Sequence, residues 1–570
     1  MDIKEQANFI WSIADLLRGN FKQSEYGKVI LPFTVLRRFD CVLAPSKEEI
    51  LERNKSLAVS NKAPIFKKYT GHDYYNVSKF DFEKLIDDSS SIDTNLKDYI
   101  NGFSDDVKEI LDNFEIVTII EKLKKAGLLY LVVQKFSEIN LGADTIDNLE
   151  MGYMFEELIR KFSEQSNETA GEHFTPREVI ELMVEVLLDT DLDEITTTDG
   201  KVITILDPAC GTGGMLSIAQ NKIRALNSRT TVVPFGQELN PETYATCKSD
   251  MILKNNTNSK IVFGNSFSED GFREQKFDYI LSNPPFGVEW KKVKNFIENE
   301  SKHKGYDGRF GAGTPRISDG SLLFLQHMIS KMQPIEKGGS RIGIVFNGSP
   351  LFSGDAGSGE SEIRKWIIEK DLLEAIIGLP DQLFYNTGIS TYVWILTNRK
   401  TDRRKGKIRL INGTSFFGKM RKSLGNKRNE ITESDRKEIV RLYSTYEHDE
   451  NYIDFDNDDF GYRKITIERP LYDENREVVV EKGNPKPNSK LRDTETVPFK
   501  EDIHEYFKRE VLPHVPDAWI DEKKTKIGYE IPFTRHFYKF TPLRESSVIL
   551  DEIKQLEEKI QKSLNELFKG

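Results

Sequence analysis

Apolar positions change rhythm twice along this chain. In "ANFIWSIADLLRGN", Phe9, Ile10, Ile13, Leu16 and Leu17 recur at helical spacing on one stripe. "YGKVILPFTVLRRFDCVL" and "NFEIVTIIEKLKKAGLLYLVVQKFSEI" continue that pattern, so residues 1–145 are predicted to form an N-terminal helical domain. From about residue 150 the apolar runs shorten. They are "VITILD" (202–207), "TTVVPFGQE" (230–238), "SKIVFG" (259–264), "FDYILS" (277–282), "RIGIVFN" (341–347), "LLEAIIGLP" (372–380) and "TYVWILTN" (391–398). Helical or loop segments separate most of them. The alternation predicts an α/β domain over 146–425, a mostly parallel sheet with helices on both faces. Two Gly-rich stretches interrupt it, Gly305–Gly320 and Gly354–Gly359, loops of the kind that carry function or stay mobile. Residues 426–570 turn strongly charged and end in "SSVILDEIKQLEEKIQKSLNELFKG". There Ile549, Ile553, Leu556, Ile560, Leu564 and Leu567 form a seam that packs on another helix, of this chain or of a partner.

With 570 residues, 38% hydrophobic and 30% charged, the chain reads as a globular protein of two or three domains. No run of about 18 uncharged apolar residues exists, so no membrane partner is expected. The first residues carry Asp2 and Glu5 where a secretion signal needs basic and then apolar residues, which predicts a cytoplasmic protein. Cys41, Cys210 and Cys247 have no spacing of a disulfide framework, and no cluster has metal-ligand spacing. The net charge of −11 matters for a nucleic-acid partner, because phosphate neutralisation supplies much of that affinity. Such a partner would need a local basic cleft or a second subunit.

"ILDPACGTGG" places Asp207 at the end of a strand, then a glycine turn, then a helix. Gly211, Gly213 and Gly214 let the backbone approach a ligand at a helix N-terminus. Alone, such a turn also fits an ordinary strand-to-helix junction. The following strands end in Glu238, Asn265 and Asn283, and polar strand ends converge on the crevice where open α/β sheets bind ligands. An acid after the second strand suits a ribose diol, a feature that a nicotinamide-dependent dehydrogenase would share.

"NPPF", Asn283–Phe286, separates these classes. Pro284 and Pro285 fix φ near about −65° and lack N–H groups, holding the corner at a set angle. The side-chain carbonyl of Asn283 and the backbone carbonyl of Pro284 can both accept hydrogen bonds from one amino group. That draws the amine's lone pair out of conjugation and aims it at an electrophile. Phe286 offers a face on which a planar base can stack.

"DPACGTGG" with "NPPF" resembles the S-adenosylmethionine-dependent amino-methyltransferases, and "GEHFTPREVIELMVE" (171–185) is similar to the segment completing their cofactor pocket. Together with the N-terminal helical domain, "NDDFGYRKITIERPL" and the C-terminal helix, the chain resembles the modification subunit of type I restriction–modification systems over nearly its whole length. The resemblance implies a Rossmann-like methyltransferase sheet and an adenine N6-methyltransferase that uses S-adenosylmethionine on a base flipped out of duplex DNA. Glu172, His173, Phe174, Thr175, Pro176, Arg177, Gly211, Thr212, Gly213 and Gly214 would line the cofactor. Glu238 would hold the ribose hydroxyls, and Asp207 would lie near the methionine end. Asn283, Pro284, Pro285 and Phe286 would form the catalytic corner. Asn265 departs from the Asp of many relatives but can still accept a hydrogen bond from the cofactor's adenine. A separate specificity subunit would read the DNA, with two modification subunits for each specificity subunit; whether a restriction subunit also joins is left open.

Other chemistries fit less well. Cytosine C5 methylation needs a nucleophilic thiolate, usually after a proline, and Asp40, Ala209 and Thr246 precede the three cysteines. A nuclease or translocase would need a G-x-x-x-x-G-K-[ST] loop, which is absent. "PDAWIDEK" (516–523) reads as an exposed charged turn. Glutamine methylation in a protein is the nearest enzymatic alternative, and a non-catalytic binding subunit is the alternative of another class. The helical domain, Phe286 and the charged C-terminal region favour DNA.

Overall fold

The computed structural model describes residues 3–57, 59, 61–166, 175–254, 258–385, 387–424, 426–538 and 545–567. Two compact units result, Met1–Ile531 and Pro532–Gly570.

The first unit opens with helices from Ile3–Leu17 to Leu129–Ser137. Their stripes close on Ile13, Leu17, Phe33, Leu36, Phe39, Ile120 and Val133, all fully buried or nearly so. This core extends through helix Asn148–Ser166, with Met154 and Leu158, and takes in Ala245 and Leu253. Helix Pro241–Leu253 supplies that junction, where Tyr244 Oη donates to Glu109 Oε1 at 2.6 Å and Lys248 Nζ meets Glu109 Oε2 at 2.6 Å.

All seven predicted strands form: β1 (Val202–Asp207), β2 (Thr231–Glu238), β3 (Lys260–Phe263), β4 (Tyr279–Ser282), β5 (Arg341–Asn347), β6 (Leu373–Gly378) and β7 (Thr391–Thr397). They extend through β8 (Lys407–Asn412) and strand Tyr452–Asp456 to a nine-stranded sheet. From one side to the other, strand Tyr452–Asp456 is followed by β8, β6, β7, β5, β4, β1, β2 and β3. Pairing is parallel except where β7 runs against β5 and β6, and where the outer strand runs against β8. β5, β6 and β7 are near-continuous apolar runs because both of their faces are covered. Gly343 in β5 lies under Met183 and Leu187 of helix Arg177–Leu188, while Ile342, Ile344 and Phe346 on the other face are equally buried.

Charged pairs lock the starts of the central strands. Arg399 clasps Asp191 through both terminal nitrogens at 2.6 Å, and Tyr279 Oη donates to the same carboxylate. Arg341 meets Glu374 at 2.7 Å, both fully buried, and Tyr443 Oη donates to Glu374.

The Gly-rich stretches are packed rather than free. Phe310, Trp290, Phe267, Ile297 and Leu323 make a small core of their own. Gly359 lies so close to Thr314 that a Cβ there would stand 1.7 Å from its carbonyl oxygen, so the two stretches fit only with glycine. After β8 comes a hairpin, Gly418–Leu424 with Lys427–Glu430, followed by helix Glu433–Ser444 against helix Arg177–Leu188. A small antiparallel sheet centres on Gly461–Glu468, with Asp493–Pro498 on one side and Trp519–Ile520 and Lys526–Tyr529 on the other.

In the second unit, Ser546–Leu567 is a single helix whose Ile549, Ile553, Leu556, Ile560 and Leu564 are 37–59% exposed. Among the described residues no helix is long and apolar enough to cross a membrane.

Candidate active site

Parallel pairing puts the C-terminal ends of β1, β2, β3 and β4 on one edge, and four predicted polar residues stand there. Asp207 is buried, and its Oδ1 accepts the Ala209 N–H at 3.0 Å and the Ser282 hydroxyl at 2.9 Å. Burial pushes this carboxyl up to about 7; the nearby Glu238 charge adds to the rise, and the two donors oppose it.

Glu238 reaches across the turn. Its Oε2 accepts the Gly211 N–H at 2.8 Å and its Oε1 the Asn240 N–H at 2.7 Å. Burial raises its pKa despite those donors. Neither carboxylate pairs with a lysine or arginine among the described residues.

The turn itself is tight. Cys210 N–H donates to Gln237 O, and Gly213 N–H donates to Cys210 O at 2.8 Å, leading through Thr212 into helix Gly214–Leu226. Gly213 sits at φ +85°, and a Cβ on it would come within 2.6 Å of Cys247 Sγ. Cys210 and Cys247 are both free thiols, with sulfurs 3.9 Å apart.

Asn265 departs from expectation in one respect. Its Oδ1 is spent on the Phe267 N–H at 2.9 Å and the Ser268 N–H at 3.4 Å, capping the turn after β3. The amide N–H₂ is what remains, so toward a ligand Asn265 is a donor, where an acceptor was expected. Ser266 Oγ ties the same turn to Pro208 O at 2.5 Å, and Arg309 donates to Ser266 O and Phe267 O.

At the end of β4 the Asn283 side chain is divided. Its Nδ2 donates to Thr175 Oγ1 at 2.9 Å, while its Oδ1 is buried with no partner among the described residues. The Pro284 carbonyl takes no donor among the described residues. Pro284 is buried, and Phe286 is half-buried against the sheet's main core rather than fully exposed.

The segment before helix Arg177–Leu188 joins the same edge. Pro176 caps this helix, and Ile180 packs 3.7 Å from where a Cβ on Gly214 would lie. Arg177 turns to its own surroundings, with Nε on Glu181 at 3.1 Å and an NH2 nitrogen on Tyr153 Oη at 2.8 Å. Glu172, His173 and Phe174 lie outside the described residues. Thr175, expected as a cofactor contact, accepts the Asn283 amide N–H. Ser282 and Ser266 were not anticipated; the only sequence signal was a small hydroxyl residue beside each polar strand end.

These residues suit a cationic, hydroxyl-bearing donor next to an amine. Among the described residues a buried carboxylate, Asp207, and a part-buried one, Glu238, lack a cation, and the buried Asn283 carbonyl oxygen lacks a donor.

Comparison with known proteins agrees. The N-6 DNA Methylase family model matches residues 147–460, and the HsdM N-terminal domain model matches 6–136. The type I restriction enzyme MjaIX methylase subunit of Methanocaldococcus jannaschii is 27% identical over 487 residues, 81% of this chain and 80% of its own. The HindI methylase subunit of Haemophilus influenzae is 31% identical over 280 residues, 48% of this chain and 55% of its own. Among solved structures, the type I restriction–modification methyltransferase subunit from Streptococcus thermophilus shares the fold. Its TM-score is 0.64 at 22% identity, over 81% of this chain and 97% of its own. The chain belongs to the N-6 DNA methylase family as a modification subunit of the type I restriction–modification kind, a DNA adenine methyltransferase that uses S-adenosylmethionine.

Proposed function

We propose that this chain methylates the 6-amino nitrogen of an adenine turned out of duplex DNA, and that Asn283 holds the amine. The divided amide of Asn283 carries the reading. Leaving a buried acceptor unpaired costs about 1–3 kcal/mol, a cost removed when a donor enters. Thr175 engages the amide nitrogen, which leaves the oxygen as the group to accept a donor. The Pro284 carbonyl is the second acceptor. Two acceptors on one rigid corner take both hydrogens of an amino group and turn its lone pair away from the ring. Stacking on Phe286, about 1–3 kcal/mol, offsets the few kcal/mol of unstacking the base. No strong base is required at this corner, because the nitrogen sheds its proton after methylation. Orientation supplies the catalysis.

Bound S-adenosylmethionine supplies an electrophilic methyl on a cationic sulfonium. Asp207 and the Cys210–Gly214 turn would hold the charged end. Each Glu238 oxygen already accepts one backbone N–H and has a lone pair left for a ribose hydroxyl. Asn265 would donate its amide hydrogen to a ring nitrogen of the cofactor's adenine.

The partner reading rests on charge and on the terminal helix. With a net charge of −11, this chain is suited to share DNA binding with a specificity subunit. The exposed seam of Ser546–Leu567 offers that subunit a helix to pack on, two modification chains to one specificity chain.

The test is methyl transfer from labelled cofactor to an adenine-containing duplex by the assembled complex, wild type against Asn283→Ala. Transfer should fall about 10²–10³-fold, the scale of losing one preorganised hydrogen-bonding group. Cofactor affinity should be unchanged. Undiminished transfer would overturn the assignment.

A further inference from the structure

β1, β4, β5, β6 and β8 run in one direction, so Asp207, Ser282, Asn347, Gly378 and Asn412 all finish on the edge that carries Asn283. The hairpin Gly418–Glu430 grows from this edge, just beyond Asn412. In a chain with a net charge of −11 it carries Lys419, Arg421, Lys422, Lys427 and Arg428 against one acid, Glu430.

Lys427 alone turns inward. It is buried, pairs with Glu178, and donates to Asn429 O at 3.0 Å. Lys419, Arg421, Lys422 and Arg428 are exposed, and among the described residues no ion pair, side-chain hydrogen bond or ring contact engages them. Surface cations close to it in sequence are treated differently: Lys405 pairs with Asp402, Lys437 with Glu433, and Arg441 with Glu438 and Asp449.

The hairpin is tied down at its turn and along its returning strand. Asn426 N–H donates to Tyr385 O at 2.7 Å, Arg428 N–H to Gln382 O at 2.9 Å, and Asn429 Nδ2 to Asp381 O at 2.8 Å. It is also close to the reacting corner. Glu178, the partner of Lys427, lies three residues after Thr175, whose hydroxyl holds the Asn283 amide. Those three residues span about 10 Å at most.

We propose that this hairpin is a phosphate grip, holding the backbone of the DNA strand that flanks the base at Asn283 without reading its sequence. The inference rests on Asn283 being the amine holder. Lys419, Arg421 and Lys422 lie on one strand of the hairpin within about 10 Å of chain, and Arg428 stands on the returning strand. A row of that length fits a linear polyanion better than a single small anion. Counterions leave when phosphates arrive, which favours cations that have no acid of their own to give up. Anchored through Lys427 to the helix that follows Thr175, the grip also fixes the strand relative to the corner that needs its base.

The experiment compares the wild-type complex, assembled with its specificity subunit, with Lys419→Gln/Arg421→Gln/Lys422→Gln/Arg428→Gln. Binding to a cognate and a non-cognate duplex is measured over a sodium chloride series. The slope of log affinity against log salt should become shallower by ~0.9 for each phosphate no longer neutralised, about 2–4 in all. Affinity should fall on both duplexes, while cofactor binding and melting stay unchanged. Lys482→Gln/Lys490→Gln, exposed cations elsewhere, should leave the slope as it was. If the fourfold variant does not assemble, Arg421→Gln/Lys422→Gln should still reduce the slope by about 2. Equal slopes and affinities would overturn the proposal and leave these cations as guards of an exposed ribbon edge. Failure of the wild-type complex to methylate adenine would instead overturn the Asn283 reading, a result visible in a separate measurement.

Discussion

Replacing Asp207 by Asn tests whether the cofactor end of the site is built for a cation. The carboxyl is 2% exposed and sits at about 7, against an ordinary 3.8. That difference of about 3 units, at ~1.36 kcal/mol each, means the folded protein disfavours the ionised carboxylate by about 4 kcal/mol. The sign follows from proton binding. The folded state holds this proton more tightly than the unfolded state, so the contribution is fully present below about pH 4 and is lost as pH rises through about 7. Asn keeps an oxygen for the Ala209 N–H and the Ser282 hydroxyl but cannot ionise. Ligand-free Asp207→Asn should therefore gain stability over wild type as pH rises, by about 2–3 kcal/mol between ~pH 5 and ~pH 8. Denaturant unfolding at a series of pH values measures this. S-adenosylmethionine should reverse the preference, because a cation favours the ionised Asp207. Its affinity for wild type should strengthen as pH approaches about 7, by up to ~10-fold per unit, and should stay flat and weaker in the variant. Stability curves that run parallel across pH, with cofactor affinity equally flat in both proteins, would refute the reasoning.

Two further outcomes follow from particular residues. Gly213→Ala forces an L side chain to φ +85° and into Cys247 Sγ, so it should cost about 1–3 kcal/mol in unfolding and weaken cofactor binding; unchanged melting would show that the turn yields. Deleting 546–570 should abolish association with the specificity subunit in co-purification while cofactor binding by the remaining chain persists, and undiminished association would remove the docking role.

Periodicity reported β4, β5, β6 and β7 because their apolar runs are buried on both faces, and it also found β3, a part-exposed strand at the edge of the sheet. It missed β8, "KIRLIN", because a charge sits in the middle of the strand. Arg409 is buried there, held by both Asp454 oxygens and by the carbonyls of Leu442, Tyr443 and Thr445. A strand that hides an arginine resembles surface in composition, and so the sheet runs past the point where the chain turns charged. The site shows the same limit. Asn283 and Asp207 were legible because their neighbours are distinctive in sequence. The residues that aim them, Thr175 and Ser282, are single hydroxyls 108 and 75 positions away, joined to them only by the fold. Asn265 was found, but its free group was not, because the oxygen is consumed by a turn two residues long.

The two edges of the sheet use the same residue types to opposite ends. At the edge where the central strands begin, each buried carboxylate has a guanidinium, Asp191 with Arg399 and Glu374 with Arg341. Removing one partner there would strand a buried charge, at a cost of about 3–5 kcal/mol. At the edge where the strands finish, Asp207 is as deeply set and Glu238 is part-buried, but neither has a cation among the described residues, and Asn283 keeps one oxygen unpaired there. An unpaired group of this kind makes the empty site less stable than the same groups with partners. The paired edge can carry that deficit because it fixes the strands independently of any ligand. What the finishing edge lacks, a positive charge and an amino group, is what a sulfonium donor and an adenine together bring.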